Sequence, residues 1–189
     1  MAAKRLEPNP LEIIEKVYDR RTLAYRVLVA HGNLVAKKAM KIARRVSHLD
    51  PDVRFIEEAA LLHDIGMIFT ASPKLGCHGE HPYVSHGMLG RSLLEDFGMQ
   101  RHGLVCERHV GVGITREDIR SQRLPLPDRD MLPQTIEEKI ICYADKFYSK
   151  NGKSAGKEKS IEDILKKLHK YGRDKAERFQ SWVDRFEEK

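Results

Sequence analysis

Apolar residues recur along most of the chain at helical rather than strand spacing. Leu23, Val27, Leu34, Val35, Ile42 and Val46 keep a period near 3.6 residues, which predicts a long amphipathic helix from Leu23 to Val46. Asp50 followed by Pro51 supplies an N-capping acid and a proline suited to the first helical position. A second helix is therefore expected to start there, run through FIEEAALLHDIG and stop at Gly66. A third begins near Tyr83 to Ser85, sets Leu89, Leu93, Leu94 and Phe97 on one face, and ends at Gly98. A short fourth covers roughly Gln100 to His109. Thr135 and Glu138 carry the capping-box pattern for a fifth, running to about Tyr148. From about Ser160 to Phe186, Ile161, Ile164, Leu165, Leu168, Phe179, Trp182, Val183 and Phe186 keep helical spacing, with Gly172 kinking or dividing the stretch.

No segment alternates as a strand does, and no internal repeat is present. The stretch VGVGITREDIRSQRLPLPDRDMLPQ contains three prolines and two glycines, so it reads as an irregular loop with a short helix at Arg116 to Arg120. The basic, glycine-containing SKNGKSAGKEKS reads as a mobile connector. These elements predict an all-α fold, a single-domain helical bundle. Residues 1–20 form a helical lead-in and residues 21–150 the main domain. Residues 151–189 add the basic connector and an amphipathic helical segment packing on the same domain.

Placing the polar residues on those helices reveals candidate chemistry. His31 lies four residues from both Val27 and Val35, and His63 shares the face of Ala59 and Ala60. His86 shares a face with Leu89, Gly90 and Leu93; His109 follows Val105, and Asp145 follows Ile141, each by four. One inward imidazole is most often a hydrogen-bonded core residue. Five helices each turning an imidazole or carboxylate inward are a different matter, because every such group needs a partner to offset its desolvation. Metal coordination satisfies all of them at once, since imidazole and carboxylate are good ligands for zinc, iron, manganese and related divalent ions.

His31, then AALLHDIG with His63-Asp64, then YADKF with Asp145, closely resembles the HD-domain phosphohydrolases. The resemblance spans about residues 25 to 150. The HD dipeptide alone is a weak signal; a histidine about 30 residues upstream and an aspartate about 80 downstream make it a strong one. The resemblance implies the HD-domain type of bundle, and the additional His86 and His109 look like the two-metal subset that includes bacterial diadenosine tetraphosphate hydrolases. By that resemblance His31, His63, Asp64 and Asp145 hold one metal, His86 and His109 a second, and Asp64 bridges them. Asp64 and His63 are then the catalytic centre, and the cofactors are two divalent ions per chain, with Fe, Mn, Zn, Co and Ni not distinguished. A metal-activated hydroxide would cleave a phosphate ester or anhydride, the ions lowering the pKa of bound water and stabilising charge on the phosphoryl oxygens.

Lys146, beside Asp145, and Arg108, beside His109, are candidate phosphate contacts, although a residue so placed is more often a solvated surface charge. Many relatives carry lysine directly after HDIG, where this chain has Met67, so a cation expected near the substrate is missing and the substrate class stays open. His78 and His81, in GCHGEHPYVSH, read as loop residues at the pocket rim rather than as competitors of His86 for the second metal. His48, His102 and His169 read as exposed.

Net charge of +6 and a pI near 9.2 favour anionic partners in general, although charged residues make up 33% of the chain and both signs are interspersed. Cys77, Cys106 and Cys142 are odd in number and widely spaced, which favours a reducing compartment over a disulfide framework. The start MAAKRLEPNPLEII lacks a signal-peptide pattern and no later stretch is apolar enough for a membrane helix, so a cytoplasmic protein without membrane contact is expected. The expected partner is a small phosphorylated, nucleotide-like substrate. The competing reading is a non-catalytic HD module that binds a nucleotide or RNA in a regulatory role. The lysines of 150–159 favour it, whereas a full ligand set and an aromatic content of only 7% do not. The four arginines of the 110–134 loop, Arg116, Arg120, Arg123 and Arg129, fit either a substrate cover or a plain surface loop. A purely structural metal site is the least favoured reading, because such sites are closed and often use thiolates.

Overall fold

The computed structural model describes residues 9–150 and 155–187. Among them nine α-helices account for almost all regular structure: α1 (Pro10–Val17), α2 (Leu23–Arg45), α3 (Val53–Leu62), α4 (His86–Asp96), α5 (Gln100–Arg108), α6 (Arg116–Gln122), α7 (Ile136–Lys146), α8 (Ile161–His169) and α9 (Arg173–Glu187). The fold is all-α, as the periodicity predicts. Two strands of two residues each, β1 (Ala71–Ser72) and β2 (Cys77–His78), form a small antiparallel hairpin that no alternation announces. It is held by its buried Leu75 and Cys77, not by length. Residues 151–154 of the predicted mobile connector lie outside the described residues, which resume at Ala155.

Helix ends follow local chemistry. Thr22, Asp52, Thr115, Thr135 and Ser160 each accept a backbone N–H in the first turn of α2, α3, α6, α7 and α8. Two expectations are corrected here. The cap of α3 is Asp52 rather than Asp50, because Asp50 adopts the left-handed conformation (φ 49°) that closes a 3-10 turn over Ser47–Leu49. Glu138 does not complete a capping box on Thr135, for its carboxylate takes the Gln134 N–H (2.6 Å) and Arg108 (2.8 Å) instead. Gly172 divides the last stretch into α8 and α9.

Two hydrophobic clusters organise the bundle. The larger gathers the C-terminal half of α2 with α3, α7, α8 and α9 around Tyr143, Phe147, Phe179, Trp182 and Phe186. Tyr143 stacks on Phe179 with ring centroids 4.9 Å apart, a contact that adds to the burial of both rings. The smaller joins α1, the N-terminal half of α2 and α4 through Ile13, Ile14, Leu28, Leu62, Ile65, Met67 and Leu94. His31 lies between Leu28 of one cluster and Val35 of the other, and His63 follows Leu62 at the same border.

The helix carrying HDIG ends earlier than expected. α3 stops at Leu62, and a 3-10 helix, Ile65–Phe69, continues past Gly66. The buried Tyr18 hydroxyl donates to the Ile65 carbonyl (2.7 Å) and accepts from the Ile68 N–H (3.0 Å), tying this turn to the end of α1. Gly66 is required by packing: a Cβ there would lie 2.2 Å from the His86 carbonyl oxygen and 2.3 Å from the Gly90 nitrogen. Gly87 is similar, its Cβ falling 2.5 Å from the Cys106 carbonyl oxygen, so α4 presses directly on both the 3-10 turn and α5.

Because the obstacles at Gly66 are backbone atoms, Gly66→Ala cannot be relieved by a rotamer change. The variant is expected to lose about 2 kcal/mol or more of stability in urea titrations of metal-stripped protein. An unchanged midpoint would show that α4 does not pack as described.

Candidate metal centre

Six side chains from five helical segments meet at one point, and only one of them, His31, lies in the middle of a helix. His63 and His109 cap the C-termini of α3 and α5, His86 opens α4, and Asp145 lies in the last turn of α7. A helix end lets a short side chain reach beyond its own axis toward a shared centre. All six are buried.

Distances divide the six into two overlapping groups. His31 Nε2 lies 2.8 Å from Asp145 Oδ1 and 3.4 Å from Asp64 Oδ2. His63 Nε2 lies 3.0 Å from Asp64 Oδ2 and 3.5 Å from Asp145 Oδ1. On the other side of the same carboxylate, His86 Nε2 and His109 Nε2 stand 3.2 Å and 3.3 Å from Asp64 Oδ1, and 3.2 Å from each other. His31, His63, Asp64 and Asp145 could hold one ion, and Asp64, His86 and His109 another.

The chain also orients the imidazoles. His63, His86 and His109 each bring Nδ1 to a carbonyl three residues back, those of Ala60 (2.7 Å), Tyr83 (2.6 Å) and Cys106 (2.7 Å). Nδ1–H donation to these carbonyls leaves the Nε2 lone pair aimed at the centre, the arrangement a ligating imidazole requires. His63 Nε2 is fully buried yet makes no well-aligned hydrogen bond among the described residues. A divalent ion fits this donor set.

Two lysines complete the electrostatics. Lys146 Nζ lies 2.7 Å from Asp145 Oδ2, and Lys150 Nζ lies 2.7 Å from Asp64 Oδ2. Burial pushes the Asp64 carboxyl up, but the charges of His63 and Lys150 outweigh it and hold it well below the usual range. Asp145 is held low in the same way by Lys146 and Lys150. Burial pushes Lys150 down, and the two carboxylates overcome this and raise it. Burial likewise opposes the charged form of His63, yet the same carboxylates hold its pKa up at about 9. Burial prevails at His109, down at about 4, and, with Lys150 nearby, at His31, which is lowered.

A cavity of about 750 Å³ opens beside the cluster. His86, His109, Asp145, Lys146 and Lys150 line its inner end, and Tyr83, Tyr148 and Tyr171 are among its walls. Lys146 therefore lies where the sequence suggests. Arg108 does not: it pairs with Glu138 and lies outside the cavity lining. The 110–134 segment contributes apolar wall through Val112, Ile114 and Leu124. Arg120 and Arg129 of that segment pair with Asp128 and Glu107 instead. His78 and His81 are exposed, belong to neither ligand group and do not line the cavity. His102, expected at the surface, is buried with Nε2 3.5 Å from Glu58 and its ring edge-on to Phe55.

Lys150 is the residue that sequence reasoning missed as part of the site. Its one signal is register, four residues past Lys146, but it follows the end of α7 at Lys146, where helical spacing no longer fixes direction. It also bears on Met67. That side chain is fully buried in the smaller hydrophobic cluster, while the cations beside the carboxylates come from the end of α7 and the residues after it.

Comparison with known proteins agrees with this geometry. A family model described as HD domain matches residues 29–149. An uncharacterised protein of Methanocaldococcus jannaschii is 33% identical over 153 residues, covering 79% of this chain and 80% of that protein. Two proteins named tRNA (cytidine(56)-2′-O)-methyltransferase are also similar. The one from Picrophilus torridus is 35% identical over 124 residues, 65% of this chain and 32% of its own length. The one from Thermoplasma volcanium is 29% identical over 156 residues, 76% of this chain and 41% of its own. The matches thus span less than half of either methyltransferase. No solved structure matches the chain.

Removing the Lys150 ammonium would leave Asp64 buried beside one cation fewer. In metal-stripped protein Lys150→Met is expected to cost about 3 kcal/mol in urea titrations, the scale of breaking a buried ion pair. A cost near zero would mean that Lys150 does not hold Asp64 in the folded state.

Proposed function

The chain belongs to the HD-domain family, and from that membership we propose that it is a metal-dependent phosphohydrolase acting on a nucleotide-like substrate. The observation that carries this reading is the fully buried Asp64 carboxylate with two imidazoles near each oxygen, two of which, His86 and His109, line an open cavity. His31, His63, Asp64 and Asp145 would hold one divalent ion, and His86 and His109, sharing Asp64, a second. Ions bound there would supply a water of lowered pKa and Lewis-acid stabilisation of a phosphoryl group.

The remaining work falls to this chain's own residues. Lys146 and Lys150 present two ammonium groups at the same end of the cavity, positioned to attract a phosphate and to balance its charge. The three backbone carbonyls on Nδ1 keep His63, His86 and His109 in one tautomer, so that no ligand has to reorient when substrate arrives. Tyr83, Tyr148 and the apolar wall of Val112, Ile114 and Leu124 offer a face to a base or sugar while excluding water from the reacting end. An open cavity beside the ligands argues against a purely structural metal.

A second reading has one specific observation in its favour. Two relatives carry the name of a tRNA methyltransferase, which makes an RNA substrate, or an RNA-binding role without hydrolysis, the alternative to a free nucleotide.

Metal analysis joined to a nucleotide and RNA-end substrate screen on one preparation tests the proposal. The protein is expected to carry about one to two divalent transition-metal ions per chain and to hydrolyse at least one phosphate ester. Asp64→Ala should abolish both properties. His86→Ala and His109→Ala should each lower metal content without emptying the first site. Hydrolysis that survives complete metal removal overturns the mechanism. Unchanged occupancy in both histidine variants overturns the second ion.

A further inference from the structure

Away from the ligands, the cavity wall carries lysines that the metal centre does not use. After α7 the chain leaves and returns: the Lys159 N–H bonds the Phe147 carbonyl (2.9 Å), and Lys159 Nζ donates to the Lys146 carbonyl (3.1 Å). Lys159 is thereby pinned at the end of α7, and from α8 the exposed Lys167 lines the same cavity. Lys146 and Lys150 have Asp145 and Asp64 as counter-ions, and Lys175 has Asp118 and Asp174. Lys159 and Lys167 have no carboxylate within ion-pair distance among the described residues.

The two ammonium groups left without a counter-ion beside one recess repel each other, and an anion held between them relieves that repulsion. A lysine pinned at a helix C-terminus is accounted for by the helix dipole, which explains Lys159 in part. Lys167 lies in the last turn of α8, so the dipole of that helix favours it likewise; what the dipoles do not explain is that the two helix ends bring both ammonium groups to one recess. Burial, followed by the charge of Lys167, depresses the Lys159 pKa, in keeping with like charges in close range.

We propose that Lys159 and Lys167 form a second anion subsite, separate from the metal ligands, which takes a further phosphate group of the same substrate. The substrate class then narrows to molecules with two or more phosphates, either contiguous, as in a nucleoside polyphosphate, or ribose-spaced, as at the end of an RNA strand. This assignment rests on the phosphohydrolase reading only for the word substrate, since the subsite binds an anion whether or not hydrolysis follows.

The test is calorimetric titration of the metal-stripped full chain with orthophosphate, tripolyphosphate and a 5′-phosphorylated RNA trinucleotide. Lys167→Ala is expected to weaken tripolyphosphate or the trinucleotide about tenfold, the loss of one charge-assisted contact. The probe that suffers identifies the spacing. Lys166→Ala, an exposed neighbour outside the cavity lining, serves as the control for general charge and should change neither. Because Lys159 also caps α7, Lys159→Met is read only with its thermal melt, and Lys167→Ala carries the decision. The proposal is overturned if Lys167→Ala weakens neither longer probe, if Lys166→Ala has the same effect, or if wild-type protein binds neither longer probe more tightly than orthophosphate. Absence of any hydrolysis would instead defeat the proposed function and leave these affinities untouched.

Discussion

The Asp64 carboxylate is fully buried, and four imidazoles and one ammonium converge on its two oxygens. An ionised carboxylate with no solvent contact is tolerated only where its surroundings supply matching charge and donors. That requirement constrains much of the fold. The turn bearing Asp64 is fastened by the Tyr18 hydroxyl, α4 approaches it through Gly66 and Gly90, and α5 follows α4 through Gly87. Loss of any of these close approaches would separate His86 or His109 from the Asp64 oxygen each now faces.

The two hydrophobic clusters make this convergence possible by standing on either side of it. α2 and α3 each contribute to both clusters, so His31 and His63 are held from both directions and cannot relax away from the charge between them. Buried aliphatic walls also weaken dielectric screening. This is why Asp64, Asp145 and Lys150 depart so far from their ordinary titration ranges.

The cavity divides its labour by origin. At its inner end His86, His109, Asp145 and Lys146 lie within the span matched by the HD-domain model and Lys150 one residue past it, whereas Lys159, Ile164, Lys167, Leu168 and Tyr171 come from the segment beyond. The candidate metal ligands that line the cavity come from the first group, and the lysines without a carboxylate partner among the described residues, Lys159 and Lys167, from the second. Under the proposed function, the ligands could stay fixed while selectivity changes with the C-terminal helices.

Much of this was written in the sequence. Periodicity marks α2, α4, α8 and α9 because each buries one stripe against a core, and AALLHDIG with YADKF marks candidate ligands because those side chains have no inexpensive place in an apolar interior. What local pattern could not supply was decided over distance. Where α3 ends and the Asp64 turn begins depends on a hydroxyl 47 residues earlier. Arg108 stands beside His109 in the chain yet is held outside the cavity by Glu138 of α7, and His102 is buried because α3 covers it with Phe55 and Glu58. Lys150 enters the centre because two buried carboxylates need a counter-charge and the chain leaving α7 can provide one. That demand becomes apparent only when Asp64 and Asp145 are side by side, since electrostatic need in a buried site belongs to the assembled structure and not to any one segment.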